Sequence, residues 1–309
     1  MDRFEAIQTL IAAVDGGSLS AASRSLGVPL PTVSRRVSDL EAYLGTQLLV
    51  RTSRKLVLTE AGAAFVASSR RVLDELKEAE RAASGEYRAP RGELVVTAPI
   101  MFGKLYVAPV VHDFLAAYPD VTVRLVLADA VVDLVENRFD VAVRIGQLPD
   151  SGLVARRLGA LRWVVCASPD YLARRGTPQA PAELTAHECI ALEGPQLFRT
   201  WLFGSEPKVQ SIAIRPRFSV NTADAVIDGA AAGLGVARVM SYQAAGAVGA
   251  GRLVPILEGS LPGPIPVHLV HASQEWQPLK QRAFLDFAAP LLKLALEGIE
   301  KSLNRSKSV

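Results

Sequence analysis

The sequence predicts an α/β chain led by an all-α-rich winged helix-turn-helix. Three observations carry this prediction. Near the N-terminus, apolar residues recur at helical spacing in three short runs parted by glycines, and two β-type runs with a basic tip follow. From Glu93 onward, β-rich runs alternate with helical ones, the pattern of layered sheets and helices. The 309 residues, half of them hydrophobic, exceed one typical domain and suffice for two or three cores.

Phe4, Ile7, Leu10, Ile11 and Val14 place a first helix at 2–15, and Gly16-Gly17 ends it. Ser20 is expected to cap a second helix at 21–26, with Leu19 as a staple residue before it and Gly27 as its stop. Pro31 suits the first position of a third helix, where a missing N–H costs nothing. Val33, Val37, Leu40 and Leu44 form the apolar stripe of that helix. At 100° per residue, Arg35 points almost directly away from the stripe, flanked by Pro31, Thr32, Ser38 and Asp39, with Ser34 and Arg36 at the edges. Short hydroxyls and arginine on the front of such a helix suit the major groove, where arginine bonds guanine bidentately. A solvated face on any small helical bundle has the same pattern. The next segment favours DNA. Residues 48–50 and 55–58 read as a hairpin whose tip carries Arg51, Thr52 and Arg54, a wing able to reach phosphates or the minor groove.

Charge agrees with this placement. The net charge is only +3, yet residues 20–58 hold six basic side chains against two acidic, while residues 91–309 hold 22 against 20. No apolar run of 18 residues predicts a membrane span, and the N-terminus lacks the pattern of a secretory signal. Cys166 and Cys189 form no C-x-x-C pair, so a reducing cytoplasm is expected.

The run Ala21-Ala22-Ser23-Arg24-Ser25-Leu26-Gly27-Val28 is followed by Thr32-Val33-Ser34-Arg35-Arg36-Val37. After these come Leu40-Glu41-x-x-Leu44-Gly45-x-x-Leu48, Arg51-Thr52-x-Arg54 and Leu58-Thr59-Glu60-Ala61-Gly62. Together they resemble the LysR-type transcriptional regulators over roughly 60 residues without a gap. The resemblance implies a winged helix-turn-helix with Ser34 and Arg35 on DNA, a long dimerising linker helix, and a C-terminal effector domain. That domain would have two lobes like those of periplasmic binding proteins, joined by crossing strands. A tetramer built as a dimer of dimers is also implied. Where such regulators commonly carry Ser, Gln and Phe, this chain has Pro29, Leu30 and Leu49.

Thr59 is expected to cap a helix over 59–87, ~43 Å long at 1.5 Å per residue. Phe65, Val72, Leu76, Ala79 and Ala83, with Val66 and Leu73 beside them, make a heptad-like seam. The seam could pack on its own domain or pair with a second copy, and two copies would set two reading helices ~34 Å apart on an inverted repeat. Residues 85–92 then form a hinge. The expected division is 1–58 for the reader, 59–90 for the linker helix and hinge, and 91–309 for the effector domain. Within the last, one lobe takes 91–162 plus 266–300 and the other 163–265.

Strands are expected at 94–98, 121–128, 141–146, 163–168, 235–239 and 266–272, in mainly parallel sheets. Helices are expected at 104–117, 130–137, 222–233, 241–248 and 278–297. Ligands of open α/β sheets sit beyond the carboxyl ends of strands and at helix N-termini. That rule selects Thr97, Pro99 and Ile100, Arg144 and Gly146, and Asn221 and Thr222. Arg144 would clamp a small carboxylate or belong to a structural ion pair; Thr97 and Asn221 would serve the ligand or simply cap helices. Ile100, Met101, Phe102, Phe198 and Trp201 are candidate apolar pocket walls, and core packing is the commoner role of Phe198 and Trp201. The family's inducers, often organic or aromatic carboxylates, agree in kind.

Metal and cofactor motifs are lacking. His268 and His271 fall on opposite strand faces, and Gly233-Leu234-Gly235 lacks the third glycine of a dinucleotide loop. No cofactor and no catalytic group is expected. Residues 301–309 read as a frayed basic tail. The expected protein is a cytoplasmic regulator that binds double-stranded DNA and a small effector and can meet RNA polymerase, with no membrane partner. The rival readings are a solute-binding protein and an α/β enzyme with a DNA-binding appendix.

Overall fold

The computed structural model describes residues 2–51, 56–83, 89–130, 134, 137, 139–193, 200–205, 207–273 and 277–305. Contacts divide the chain into two units, Met1–Arg88 and Ala89–Val309.

In the first unit, the Asp2 carboxylate accepts from the N–H groups of Phe4 and Glu5 at 2.9 and 3.3 Å and starts α1 (Arg3–Asp15). Helix α2 (Leu19–Leu26) is capped by Ser18, not Ser20: Ser18 Oγ accepts from Ala21 N at 3.1 Å. Ser18 still has an extended backbone (φ −162°), whereas Leu19 and Ser20 are already helical, so Leu19 is a first-turn residue and not a staple. Gly27, at φ +64°, closes α2 in the left-handed region. Helix α3 (Leu30–Leu44) begins one residue earlier than expected, with Pro29 at the cap and Pro31 second in the helix. Ala6 and Leu10 of α1 pack on Val37 and Leu40 of α3, with Leu48, Leu49 and Val66 completing the core. The buried side of α1 therefore centres on Ala6, Thr9, Leu10 and Ala13, and Phe4 stands 48% exposed. Short side chains let α2 and α3 approach closely there.

Strands β1 (Leu49–Arg51) and β2 (Leu56–Leu58) pair antiparallel with Leu49 opposite Leu58. Glu41 Oε1 accepts from the N–H groups of Leu48 and Leu49 at 2.8 and 3.0 Å, which ties this hairpin to α3. Thr59 Oγ1 accepts from Gly62 N at 2.9 Å at the head of α4 (Glu60–Ala83). The apolar side of α4 divides into two rows. Val66 and Leu73 are buried, and Val72 and Leu76 are exposed. The side chains of Ala79 and Ala83, and residues 84–88 of the expected helix and hinge, lie outside the described residues.

The second unit runs β3 (Gly92–Ala98), α5 (Ile100–Phe102), a π turn (Gly103–Val107), α6 (Ala108–Ala117), β4 (Val121–Leu127), β5 (Val141–Ile145) and β6 (Leu153–Leu161). It continues through β7 (Trp163–Ala167), α7 (Pro169–Arg175), a 3-10 turn (Pro181–Ala186), β8 (Glu188–Leu192), β9 (Thr200–Phe203), β10 (Gln210–Ala213) and β11 (Arg215–Val220). Then come α8 (Ala223–Ala231), β12 (Val236–Met240), α9 (Ser241–Gly249), β13 (Val254–Ile256), β14 (Ile265–Ala272) and α10 (Leu279–Arg305). The α5–α6 segment starts before the expected Lys104 because Asp129 Oδ1 accepts from Ile100 N at 3.0 Å. The expected helix at 130–137 lies largely outside the described residues. Helix α10 carries on through Lys301–Arg305, which were read as part of a tail: Leu303 is fully buried.

Two five-stranded sheets form two lobes, in the orders β4-β3-β5-β14-β6 and β11-β8-β12-β7-β13. The sheets are mixed, not mainly parallel. In each, one strand is reversed, and it is the strand that enters from the other lobe: β14 in the first, β7 in the second. A chain that crosses at the carboxyl ends of one sheet must enter the next sheet from that same end. One apolar core joins the inner faces of both lobes, including Phe114 and Leu292 on one side and Val226 and Val239 on the other. A separate core fills the outer face of the second lobe, where Tyr171, Leu184, Trp201 and Phe203 pack on Val165 and Val236.

Candidate functional site

The outward face of α3 carries Pro31, Thr32, Arg35 and Ser38 in the open, with Ser34 half-buried between them. The Arg35 side chain is 84% exposed, and its one ion pair among the described residues, to Asp39 one turn on, is long at 3.8 Å. Such a pair is weak and yields readily to a phosphate or base. Arg36 departs from the expected set: its guanidinium turns back to Glu5 of α1 and pairs with it, because it sits beside the buried Val37 rather than opposite the stripe. Leu30 is 42% exposed at the front of the helix. Of the wing residues, Thr52, Arg54 and the side chain of Arg51 lie outside the described residues.

A second site candidate lies where the carboxyl ends of β3 and β5 in one lobe, and of β11 and β12 in the other, come to the crossing strands. Ile100 is exposed there, and Pro99 is the half-buried residue before α5. Arg144 pairs in register with His268, and burial draws its guanidinium below the ordinary value. Gly146 follows at φ +126°, a conformation closed to most side chains, with its N–H on Pro266 O at 2.9 Å. Asn221 and Thr222 are exposed ahead of α8. The Thr222 hydroxyl bonds Asp224 and, with the Ala225 N–H and the charge of Lys104 from the facing lobe, holds that carboxyl below its usual range.

Two expected members are interior instead. Thr97 is fully buried on β3, facing away from the inner core, and among the described residues its Oγ1 has no hydrogen-bond partner. Trp201, 5% exposed, belongs to the outer core of the second lobe, since alternation along β9 turns Trp201 and Phe203 inward together. Phe198 lies outside the described residues.

Sequence patterns missed the aromatic contact between the lobes. The Tyr242 ring meets Phe102 edge-on at 5.3 Å and Tyr106 at 6.3 Å, with Gln243 Nε2 donating to Tyr242 Oη at 3.1 Å. Burial raises the Tyr242 phenol, so it stays neutral. Phe102 is a candidate pocket wall in the sequence, whereas Tyr106 and Tyr242 lie on helices whose periodicity reads simply as core, so no local signal marks them. Arg162, between β6 and β7, bonds Glu300 of α10 at 2.9 Å and Glu258 at 3.3 Å, bracing the crossover.

Among the described residues no group of three His, Cys, Asp or Glu side chains could hold a metal. Cys166 and Cys189 are buried in different cores, and burial pushes both thiols up to about 12, far from the reactive thiolate form.

Two family models match the chain: a bacterial regulatory helix-turn-helix protein of the lysR family over residues 4–63, and a LysR substrate binding domain over residues 88–293. A transcriptional regulator of Xanthomonas campestris is 37% identical over 278 residues, spanning 89% of this chain and 81% of that protein. The regulator CrgA of Neisseria meningitidis is 34% identical over 284 residues, spanning 92% and 95%. The solved CrgA structure superposes with a TM-score of 0.60 over 93% of this chain and 98% of that one, at 32% identity. The full-length Vibrio cholerae virulence activator AphB gives a TM-score of 0.59 over 92% and 97%, at 27% identity.

Proposed function

Because the chain belongs to the LysR family of DNA-binding transcriptional regulators with an effector-binding domain, we propose that it reads an inverted-repeat site in double-stranded DNA as a dimer. The family consists of regulators, not enzymes, which removes the enzyme reading. Residues 1–58 read, 59–90 join the copies and 91–309 sense; the first lobe takes 91–162 plus 266–300 and the second 163–265.

The observation that carries the reading is the α3 face. Pro31, Thr32, Ser34, Arg35 and Ser38 enter the major groove, while Arg51, Thr52 and Arg54 of the wing hold phosphates or the adjacent minor groove. Arg36 braces α3 on α1 through its Glu5 pair. The open Val72 and Leu76 row on α4 takes the same row of a second copy, while Val66 and Leu73 stay with their own domain. Two such dimers make the tetramer, which acts in the cytoplasm and contacts RNA polymerase at promoters. The test is selection of bound fragments from randomised DNA, followed by titration in rising salt. Specific binding at about 10⁻⁸–10⁻¹¹ M that weakens steeply with salt is expected. Failure to enrich any repeat refutes the reading.

The effector is a small organic or aromatic carboxylate, with Arg144 as its clamp and Ile100, Pro99, Gly146, Asn221 and Thr222 around it. An effector can shift DNA-bound geometry only as far as it prefers one arrangement of the lobes. Arg144→Ala is expected to abolish the thermal shift that a carboxylate effector produces and to leave DNA affinity intact. A full thermal response in that variant would exclude the clamp.

A further inference from the structure

Among the described residues no acid neutralises the charge of Arg238. It lies on β12, two residues before the strand ends, and alternation places it with Val236 on the outer face of the second lobe. Its guanidinium carbon sits 4.3 Å from the ring centre of Trp163 and 5.9 Å from that of Phe203. Nε is fully covered and has no hydrogen-bond partner. Among the described residues no carboxylate pairs with Arg238, although ten other ion pairs join arginines to acids. Burial alone draws the guanidinium down, to about 10, with no acid acting to raise it. Aromatic faces offset part of the lost hydration of a guanidinium, but they leave its N–H donors unmade. An uncompensated buried charge is costly, and natural interiors pair such groups.

The rest of the surroundings explain what could complete it. Arg238 as a residue is half-buried, so the outer edge of the guanidinium remains open while Nε is closed off. Trp163 is the first residue of the strand that enters from the other lobe, so the pair stands at the end of the sheet where the crossing strands and the N-terminus of α8 also lie. The position differs from that of Arg144, which belongs to the other lobe and another sheet.

We propose that Arg238 is the anchor of an anion-binding position in the second lobe, and that its ligand is a small planar carboxylate. A guanidinium held against an indole keeps its donor edge free, and two parallel N–H donors on that edge match the two oxygens of a carboxylate. A ligand there supplies acceptors to the two N–H donors of the open edge, which no described residue accepts from, while Nε stays covered. It also rests against Trp163, which makes tryptophan emission a direct report of occupancy.

The test uses the full-length protein with sodium benzoate as the probe, sodium phosphate as the tetrahedral alternative, and sodium chloride at matched ionic strength as the control. Benzoate is expected to raise Tm by ~2–4 °C more than chloride and to change the emission of Trp163, a change absent from Trp163→Phe. Arg238→Met removes the charge while keeping an unbranched apolar stem. It is expected to match or exceed the wild-type Tm without added anion, and to lose the emission response to benzoate. Arg238→Lys keeps the charge without the fork and is expected to bind at least ~10-fold more weakly. Arg144→Ala is expected to keep the Trp163 response, which separates this position from the effector clamp in the other lobe. A wild type whose Trp163 emission ignores both anions overturns the proposal. So does an Arg238→Met protein that is less stable than wild type yet responds fully, since Arg238 is then a structural cation. A stronger response to phosphate than to benzoate overturns the planar carboxylate.

Discussion

Replacing Gly62 by alanine is expected to destabilise the N-terminal unit by about 3 kcal/mol and to abolish DNA binding at growth temperature. A β-carbon at this position would lie 2.0 Å from the carbonyl oxygen of Leu48, 2.8 Å from its carbonyl carbon and 3.1 Å from its Cα. All three are backbone atoms, so no side chain can rotate to make room. Leu48 is also held from three directions. Its carbonyl accepts from Thr59 N at 3.0 Å and from Thr59 Oγ1 at 3.3 Å, and its N–H donates to Glu41 at 2.8 Å. The sign is diagnostic. In an isolated helix, alanine is favoured over glycine by about 1 kcal/mol, so helix propensity alone predicts a gain. The measurement is a urea or thermal unfolding curve of the variant beside wild type, with DNA binding by titration. A midpoint at or above wild type would mean that α4 does not approach Leu48 this closely.

Arg35→Ala is expected to weaken binding to the selected DNA site by ~1–3 kcal/mol, roughly 5- to 150-fold, and to relax sequence preference at one base pair of each half-site. The fold should tolerate the change. The side chain is 84% exposed, and its ion pair with Asp39 is long and solvent-screened. A dimer presents two copies of the residue, so the loss on a full site exceeds that on a half-site. Competition across a randomised site distinguishes the possible roles. Loss of preference for guanine at a single position marks a base contact. Uniform weakening across all sequences, with a salt slope reduced by about one per contact, would make Arg35 a phosphate contact and move the reading role to Thr32, Ser34 and Ser38.

Local chemistry was most legible where it is self-contained. The three N-terminal helices, the hairpin pair and the start of α4 at Thr59 follow from glycine stops, a hydroxyl cap and apolar spacing, and they sit within a residue or two of the expected bounds. The choice between Ser18 and Ser20 as cap was not legible, since both are good caps two residues apart and only the packing of Ala22 and Leu19 on α1 sets where α2 begins. Strand β6 escaped detection because Arg156 and Arg157 interrupt any alternation on a strand with one exposed face. Strands β8 to β11 are only four to six residues long, too short for alternation to mark them despite Gly194-Pro195 and Gly204 between them.

The effector region shows the same limit at the level of single side chains. Thr97, Arg144, Asn221 and Thr222 were nominated by position at strand ends and helix starts, a rule about backbone. Nothing in that rule says that Thr97 faces inward or that Trp201 fills a core. No sequence signal singles out Arg238, because one arginine in the run Val236-Ala237-Arg238-Val239 looks like the polar side of an ordinary strand.

By itself the sequence determined the N-terminal elements and their order, the family, and the exposed hydroxyl and arginine face of α3, because caps, glycine stops and apolar periods act over a few residues. Only the tertiary structure decided which side of α4 is spent on its own domain, why residue 62 must be glycine, and which arginines are paired. Those outcomes depend on which atoms distant segments bring together. Arg36 and Arg238 are the same residue type, yet folding sets one beside Glu5 and the other against Trp163, where none of the described acids pairs with it. The charge of each is written in the chain; whether it is neutralised is settled by packing.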